Sequence, residues 1–188
     1  MHNLRRPDPR GIVGGQRPVV VNLSKVNDLE PCACGTRGKP LWQDAGEKSM
    51  PDTFVDQVNA LPGWVKEMGI VILSASRDEV SCEWEVTEKH HQGYGIVHGG
   101  VHCGVIETLA SIGAAVVAHP RGQRIVGLEN NTSFIRAVRS GKLRAVARPV
   151  TRGRSSQVWE AWIRDDKEQL VAQGRVRLLC VDENKPLG

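Results

Sequence analysis

Aromatic residues are scarce in this chain, 4% of 188 residues, and the positive excess is small, a formal net charge of +4. Residues 1–50 hold eight Lys/Arg against five Asp/Glu, so most of that excess is spread thinly over one segment. A nucleic-acid footprint needs a clustered basic patch with interleaved aromatics, and neither is present. Cysteine is also sparse: five residues (32, 34, 82, 103 and 180), odd in number and without framework spacing. That excludes a disulfide scaffold and points to a reducing compartment. The first ten residues, Met1-His-Asn-Leu-Arg-Arg-Pro-Asp-Pro-Arg10, lack the apolar core of a signal peptide. The expectation is a cytoplasmic protein with neither nucleic acid nor membrane as partner.

Residues 1–50 contain half of all the prolines, six glycines and a single aromatic, Trp42. Such a stretch offers little apolar area to offset the entropy of ordering, so 1–50 reads as a flexible extension. Two features stand out within it. The run Pro18-Val-Val-Val-Asn-Leu23 has the composition of a strand that can dock, and Cys32-Ala-Cys34 invites a metal reading. Zinc sites usually take four Cys/His ligands, and no further Cys or His lies nearby in the sequence, so no metal is expected.

From Pro51 the character changes, and residues 51–183 read as one domain, with 184–188 a short tail. The segment 52–61 is a short helix with an acidic start, stopped at Pro62-Gly63. Two strands follow, 69–76 and 79–86, with Arg77-Asp78 as the turn; the second alternates polar with apolar. After a loop at 87–97 comes one long helix. Four more strand-like runs close the domain, at 124–134, 142–151, 157–164 and 169–181, separated by Gly- and Asp-containing turns. Six strands with one helix after the second predict an α+β domain, an antiparallel sheet curled around a helix.

That helix carries the chemistry. Apolar positions at Val101, Val105, Ile106, Leu109, Ile112 and Val116 recur at three- and four-residue steps, the period of a buried helix. The run is long enough to span a bilayer, but Glu107 would then sit near mid-membrane, at about 2.5–3.5 kcal/mol. Burying that carboxylate in a soluble core is also costly unless it is partnered or used. Two glycines, Gly99 and Gly100, precede the apolar run, where helix N–H groups lack partners and the positive end of the dipole lies. Such a terminus can hold the charge that develops on a carbonyl oxygen. Cys103, Glu107 and Ser111, spaced by four, share a face. His98 either caps the helix or acts directly, and the residues alone favour the cap. Cys103 reads as a small core residue. His90, His91 and His102 form no recognisable metal set.

The order Gln92-Gly-Tyr-Gly-Ile-Val-His98-Gly-Gly, then Glu107, then Ser111, resembles the signature of hotdog-fold acyl-CoA thioesterases. The similarity is to the branch with Arthrobacter-type 4-hydroxybenzoyl-CoA thioesterase, 1,4-dihydroxy-2-naphthoyl-CoA hydrolase and phenylacetate-degradation thioesterases. It continues through Val126-Gly-Leu-Glu-Asn-Asn, Arg136-Ala-Val-Arg-Ser-Gly141 and Gly153-Arg-Ser-Ser-Gln-Val-Trp159, and spans about 54–182. The resemblance implies a hotdog fold and hydrolysis of an aromatic or aryl-like acyl-CoA. Glu107 would be nucleophile or general base, Gly99 would polarise the thioester carbonyl through its N–H, Gln92 and His98 would position the thioester, and Ser111 would hold the water or the carboxylate. It places coenzyme A contacts at Gly127, at Phe134, Ile135, Arg136 and Ala137, and in the turn with Arg152, Gly153, Arg154, Ser155 and Ser156. Arg152 and Arg154 also suit phosphate on their own chemistry. No cofactor is implied beyond coenzyme A as part of the substrate, and a homodimer or homotetramer is expected. Two other readings keep the same fold, a non-catalytic acyl-CoA sensor and a hydratase or dehydratase. A sensor has no need of a lone carboxylate at the reacting carbon.

Overall fold

The computed structural model describes residues 52–186. The extension 1–50, the run 18–23 and the pair Cys32/Cys34 lie outside the described residues. Within them the elements are α1 (Asp52–Ala60), α2 (Trp64–Glu67), β1 (Val71–Ala75), β2 (Val80–Val86), α3 (Gly99–Ala118), β3 (Gln123–Phe134), β4 (Gly141–Arg152), β5 (Ser156–Arg164) and β6 (Leu170–Asp182). Each strand expected from the sequence is present within about two residues at either end. One helix was not expected. Pro62-Gly63 ends α1, but Gly63 adopts φ 123° and turns the chain directly into α2. A four-residue helix is too short to leave a periodic signal.

The strands form one antiparallel sheet in the order β1-β2-β4-β5-β6-β3. β2 and β5 bury alternate residues, as strands with one covered face do. The covering element is α3, which packs against β3, β4, β5 and β6. This is the hotdog arrangement. Gly99–Arg121 is long and apolar enough to cross a membrane by length and composition, and here Val105, Ile106, Leu109, Ala110 and Ala114 are buried against the sheet. Each large side chain so buried contributes about 1.5–3 kcal/mol.

The few aromatics are used at decisive points. Trp159 on β5 lies against Gly113, where a Cβ would overlap its indole ring. The buried Gln157 donates to the Ala114 carbonyl at 3.0 Å and accepts from Trp159 Nε1 at 3.1 Å. Helix, strand and ring are thereby locked in register, with their polar groups satisfied.

β3 is a sheet edge, paired only with β6. Its register slips between Gly127 and Glu129. A bulge of this kind bends a strand and re-aims the side chains beyond it. Leu128, Phe134 and Ile135 along and just after this edge are each more than half exposed.

Candidate active site

The loop before α3 is held from several sides. Buried His90 accepts the Thr87 N–H at Nδ1 (2.9 Å), while its Nε2 lies 2.8 Å from the Met68 carbonyl. The Arg139 guanidinium donates to the carbonyls of Tyr94 (2.8 Å) and Gly95 (3.0 Å). Val97 N–H donates to Val138, and His98 N–H to His90. Gln92 Oε1 accepts from Tyr94 N–H at 3.1 Å. These bonds set where α3 begins.

At that start His98 is exposed, and its Nδ1 accepts the Gly100 N–H at 2.8 Å. It is the N-cap, as the residues alone suggest. The Val101 N–H goes to the His98 carbonyl at 2.9 Å. Gly99 N–H is left as the open donor of the first turn among the described residues. The Phe134 ring lies over this point, and a Cβ on Gly99 would sit 2.8 Å from Phe134 Cζ. Gln92, Gly99, His102 and the segment 134–137 line a cleft of about 260 Å³. The structure thus brings Gln92 and Gly99 together with Phe134, Ile135, Arg136 and Ala137. His102 is buried beside Phe134, ring centroids 6.2 Å apart, and its Nδ1 has no hydrogen-bond partner among the described residues. Burial pushes the His102 imidazole down to about 4, so it is neutral at neutral pH.

Glu107 belongs to a different cleft. It shares an apolar recess of about 370 Å³ with Ser111 and Ile112 of α3 and with Val58, Leu61, Pro62, Trp64 and Val65. Its carboxylate is partly buried and held from two directions. Asn130 Nδ2 donates to Oε2 at 3.0 Å, and Ser111 Oγ donates to Oε1 over a long 3.4 Å. Asn130 also donates to the Cys103 carbonyl (3.1 Å), and its own Oδ1 accepts from Thr132 Oγ1 (2.6 Å). Gly127 sits against Glu107 Oε1, where a Cβ would come within 2.6 Å. The resemblance implied a coenzyme A contact at Gly127; the structure shows that its lack of a side chain makes room for the carboxylate. Asn130 and Trp64 were missed altogether. Asn130 stood in the quoted stretch 126–131, but only the bulge at 127/129 turns it toward α3.

Arg152 and Arg154 share a third cleft, about 460 Å³, with Arg121, Gln123 and Asp182. Arg152 is already engaged by Asp78 at 2.5 Å and by the Arg77 carbonyl at 2.9 Å. Asp182 meets Gln123 Nε2 at 3.3 Å and Lys185 Nζ at 3.5 Å. Among the described residues, the guanidinium groups here without a partner are therefore those of Arg154 and Arg121. Gly153 packs against the Ser156 carbonyl, where a Cβ would be 2.7 Å away, and the Ser155 carbonyl accepts from Cys180 N–H. These contacts shape the turn.

Gly99 and Glu107 are not brought together within a single chain. Gly99 N–H and Glu107 lie eight residues apart on one helix, an axial rise of about 12 Å. A thioester carbon and its oxygen, bonded to each other, cannot meet both.

Residues 94–172 match the family described as the thioesterase superfamily. A Mycobacterium tuberculosis protein with an esterase designation, Rv1847, is 40% identical over 114 residues, 60% of this chain and 81% of that protein. Its solved structure superposes with a TM-score of 0.62 at 37% identity, over 65% of this chain and 98% of that one. The 1,4-dihydroxy-2-naphthoyl-CoA hydrolase of Listeria monocytogenes is 36% identical, over 65% of this chain and 99% of its own length. The Staphylococcus aureus thioesterase SAV0944 superposes with a TM-score of 0.60 at 29% identity, over 62% of this chain and 97% of that one. Two of its solved forms carry Ala in place of a Gln and of a Glu that stand fifteen residues apart, the separation of Gln92 from Glu107.

Proposed function

The chain belongs to the thioesterase superfamily and is a thioester hydrolase, and from that premise we propose that it hydrolyses an aromatic or aryl-like acyl-CoA to the free acid and coenzyme A. The observation that carries the reading is the seating of Glu107: a carboxylate held by Asn130 and Ser111 at the wall of an apolar recess. The Listeria hydrolase, by its name, acts on an aromatic acyl-CoA.

The reaction uses two copies of the chain. The thioester oxygen accepts the Gly99 N–H of one copy, with Gln92 beside it and the dipole of α3 behind it. Glu107 of the second copy meets the thioester carbon. Its carboxylate either attacks that carbon, expelling the coenzyme A thiolate and leaving an anhydride for water to open, or takes a proton from the water that attacks. Ser111 and Asn130 fix the carboxylate's direction in both routes, and His98 supports the site by capping the helix that presents Gly99. The exposed β3 edge, with Leu128, Phe134 and Ile135, is where the second copy docks, since it carries unpaired backbone groups and exposed apolar side chains. Coenzyme A runs out past 134–137, and its phosphates meet Arg154 and Arg121, with Arg152 held in place by Asp78. The protein works as a cytoplasmic homodimer or homotetramer, without a cofactor.

The test is release of free thiol from a panel of acyl-CoAs, followed by mixing of subunits. Gln92→Ala and Glu107→Gln proteins, each nearly inactive, should recover up to about a quarter of wild-type activity when unfolded together and refolded. Mixed dimers then hold one site with both residues intact. No recovery from a mixture that does form mixed dimers would refute the shared site, and no thiol release by the wild-type chain would refute the reading itself.

A further inference from the structure

Trp64 has no place in the chemistry proposed above, yet its position is specified with care. It opens α2 immediately after Gly63, whose φ of 123° a residue with a side chain rarely adopts. The indole lies on α3 at Gly104, where a Cβ would overlap the ring carbons. Gly104 stands three residues before Glu107, so the ring meets the helix one turn from the carboxylate. Trp64 remains 40% exposed and Leu61, across the Pro62-Gly63 turn, 46%. Gathered in one recess with a carboxylate that has fixed partners, these open apolar groups form a surface on which an apolar ligand can lie.

We infer that Trp64 is a specificity-determining residue, the aromatic wall against which the acyl group of the substrate lies; this rests on the thioester reading of Glu107. The recess is continuous with that carboxylate, because Glu107, Ser111 and Ile112 form one side and Val58, Leu61, Trp64 and Val65 the other. An acyl carbon held at Glu107 therefore sends its substituent between Ile112 and the indole. Among the side chains of this recess only Glu107, Ser111 and Thr108 are polar or charged. The occupant is then an uncharged, apolar acyl group. An aryl ring gains offset-stacked or edge-to-face contact with the indole that a short alkyl chain does not. Gly104 sets the depth: without a side chain it lets the indole lie flush on the helix and keeps the recess open.

The experiment compares the full-length wild type with Trp64→Ala and Gly104→Ala, using naphthoyl-CoA and butyryl-CoA as probes. The reading is the ratio of kcat/KM for the two. Trp64→Ala removes the wall, so the ratio should fall about tenfold or more, within the range one apolar pocket contact commands. The change should sit mainly in KM for naphthoyl-CoA, with kcat much less altered. Gly104→Ala pushes the indole into the recess, and the same ratio should fall with the short substrate much less affected. Butyryl-CoA turnover in either variant reports that the protein has folded. If Trp64→Ala does not fold, Gly104→Ala carries the test alone. A ratio within twofold of wild type in a folded variant, or an equal loss on both substrates, overturns the assignment of Trp64. Failure of the wild type to release thiol from any acyl-CoA would instead overturn the thioester reading.

Discussion

The first and third turns of α3 solve opposite problems with the same backbone. At Gly99 the helix offers an open N–H and almost no side chain, covered by the Phe134 ring and flanked by a buried neutral imidazole. At Glu107 it offers a formal charge with designated donors, Asn130 from β3 and Ser111 from the next turn. One end is built to receive negative charge and the other to supply it. About 12 Å of helix separates them, which keeps the carboxylate away from the open N–H of its own chain. On the proposed reading the reactive pair is assembled between chains rather than within one, and each half can be damaged separately.

The most damaging change is at the charged half. Glu107→Gln keeps the volume and removes the charge, and kcat should fall by about 10²–10⁴, as loss of a general base does, or further if the carboxylate is the nucleophile. KM should change little, since on the proposed reading coenzyme A is gripped by 134–137 and the arginine turn. The melting temperature should hold or rise, because the amide is cheaper to keep partly buried than the carboxylate. Steady-state kinetics with a melting curve decide it: near-wild-type kcat in a folded protein would remove Glu107 from the reaction.

The two halves were not equally legible in the sequence. The Gly99 end and Glu107 itself stood out because both are local signals: paired glycines before an apolar run, and one charge within it. The six strands showed through their alternation and their Gly- and Asp-containing turns. What the sequence hid is what reaches Glu107 from elsewhere. Gly127 and Asn130 are twenty or more positions away, and their approach depends on the slip in pairing at 127/129. A bulge leaves no mark in the apolar pattern. Trp64 was hidden for another reason, since α2 is too short to show a period. The clefts that divide Gln92 from Glu107 follow from packing, which pattern does not encode.

Gly127 sharpens the comparison by striking the charged half from outside the helix. A methyl group at Gly127 would come within 2.6 Å of Glu107 Oε1, so the carboxylate must swing away from Asn130 or Ser111. The charge survives while its aim is lost. Misplacement by about 1 Å can cost up to roughly 10²-fold in rate, so Gly127→Ala should lower kcat by about ten- to a hundredfold, less than Glu107→Gln. Both variants should retain substrate affinity, measured as inhibition by a non-hydrolysable thioether analogue. An unchanged kcat in Gly127→Ala would mean that the seating of Glu107 does not matter.

The smallest effect expected lies at the other half and concerns stability. His102 is 3% exposed with Nδ1 unpartnered, and burial moves it from 6.5 to about 4. Between those values the unfolded chain binds a proton that the folded chain refuses. Folding therefore weakens as pH falls from about 6.5 toward 4, and this group contributes a slope of up to about 1.4 kcal/mol per pH unit. Below 4 the folded state takes up the proton too, and the slope from this residue vanishes. His102→Phe keeps a ring beside Phe134 and removes the titration. Urea unfolding at pH 7 and pH 5 should show the wild type losing more stability than the variant over that interval. His119, lowered by burial as well, is present in both proteins and cancels in the difference. Equal losses in the two proteins would mean that the imidazole is solvated or paired. The Gly99 half would then be less dry than the burial of His102 implies.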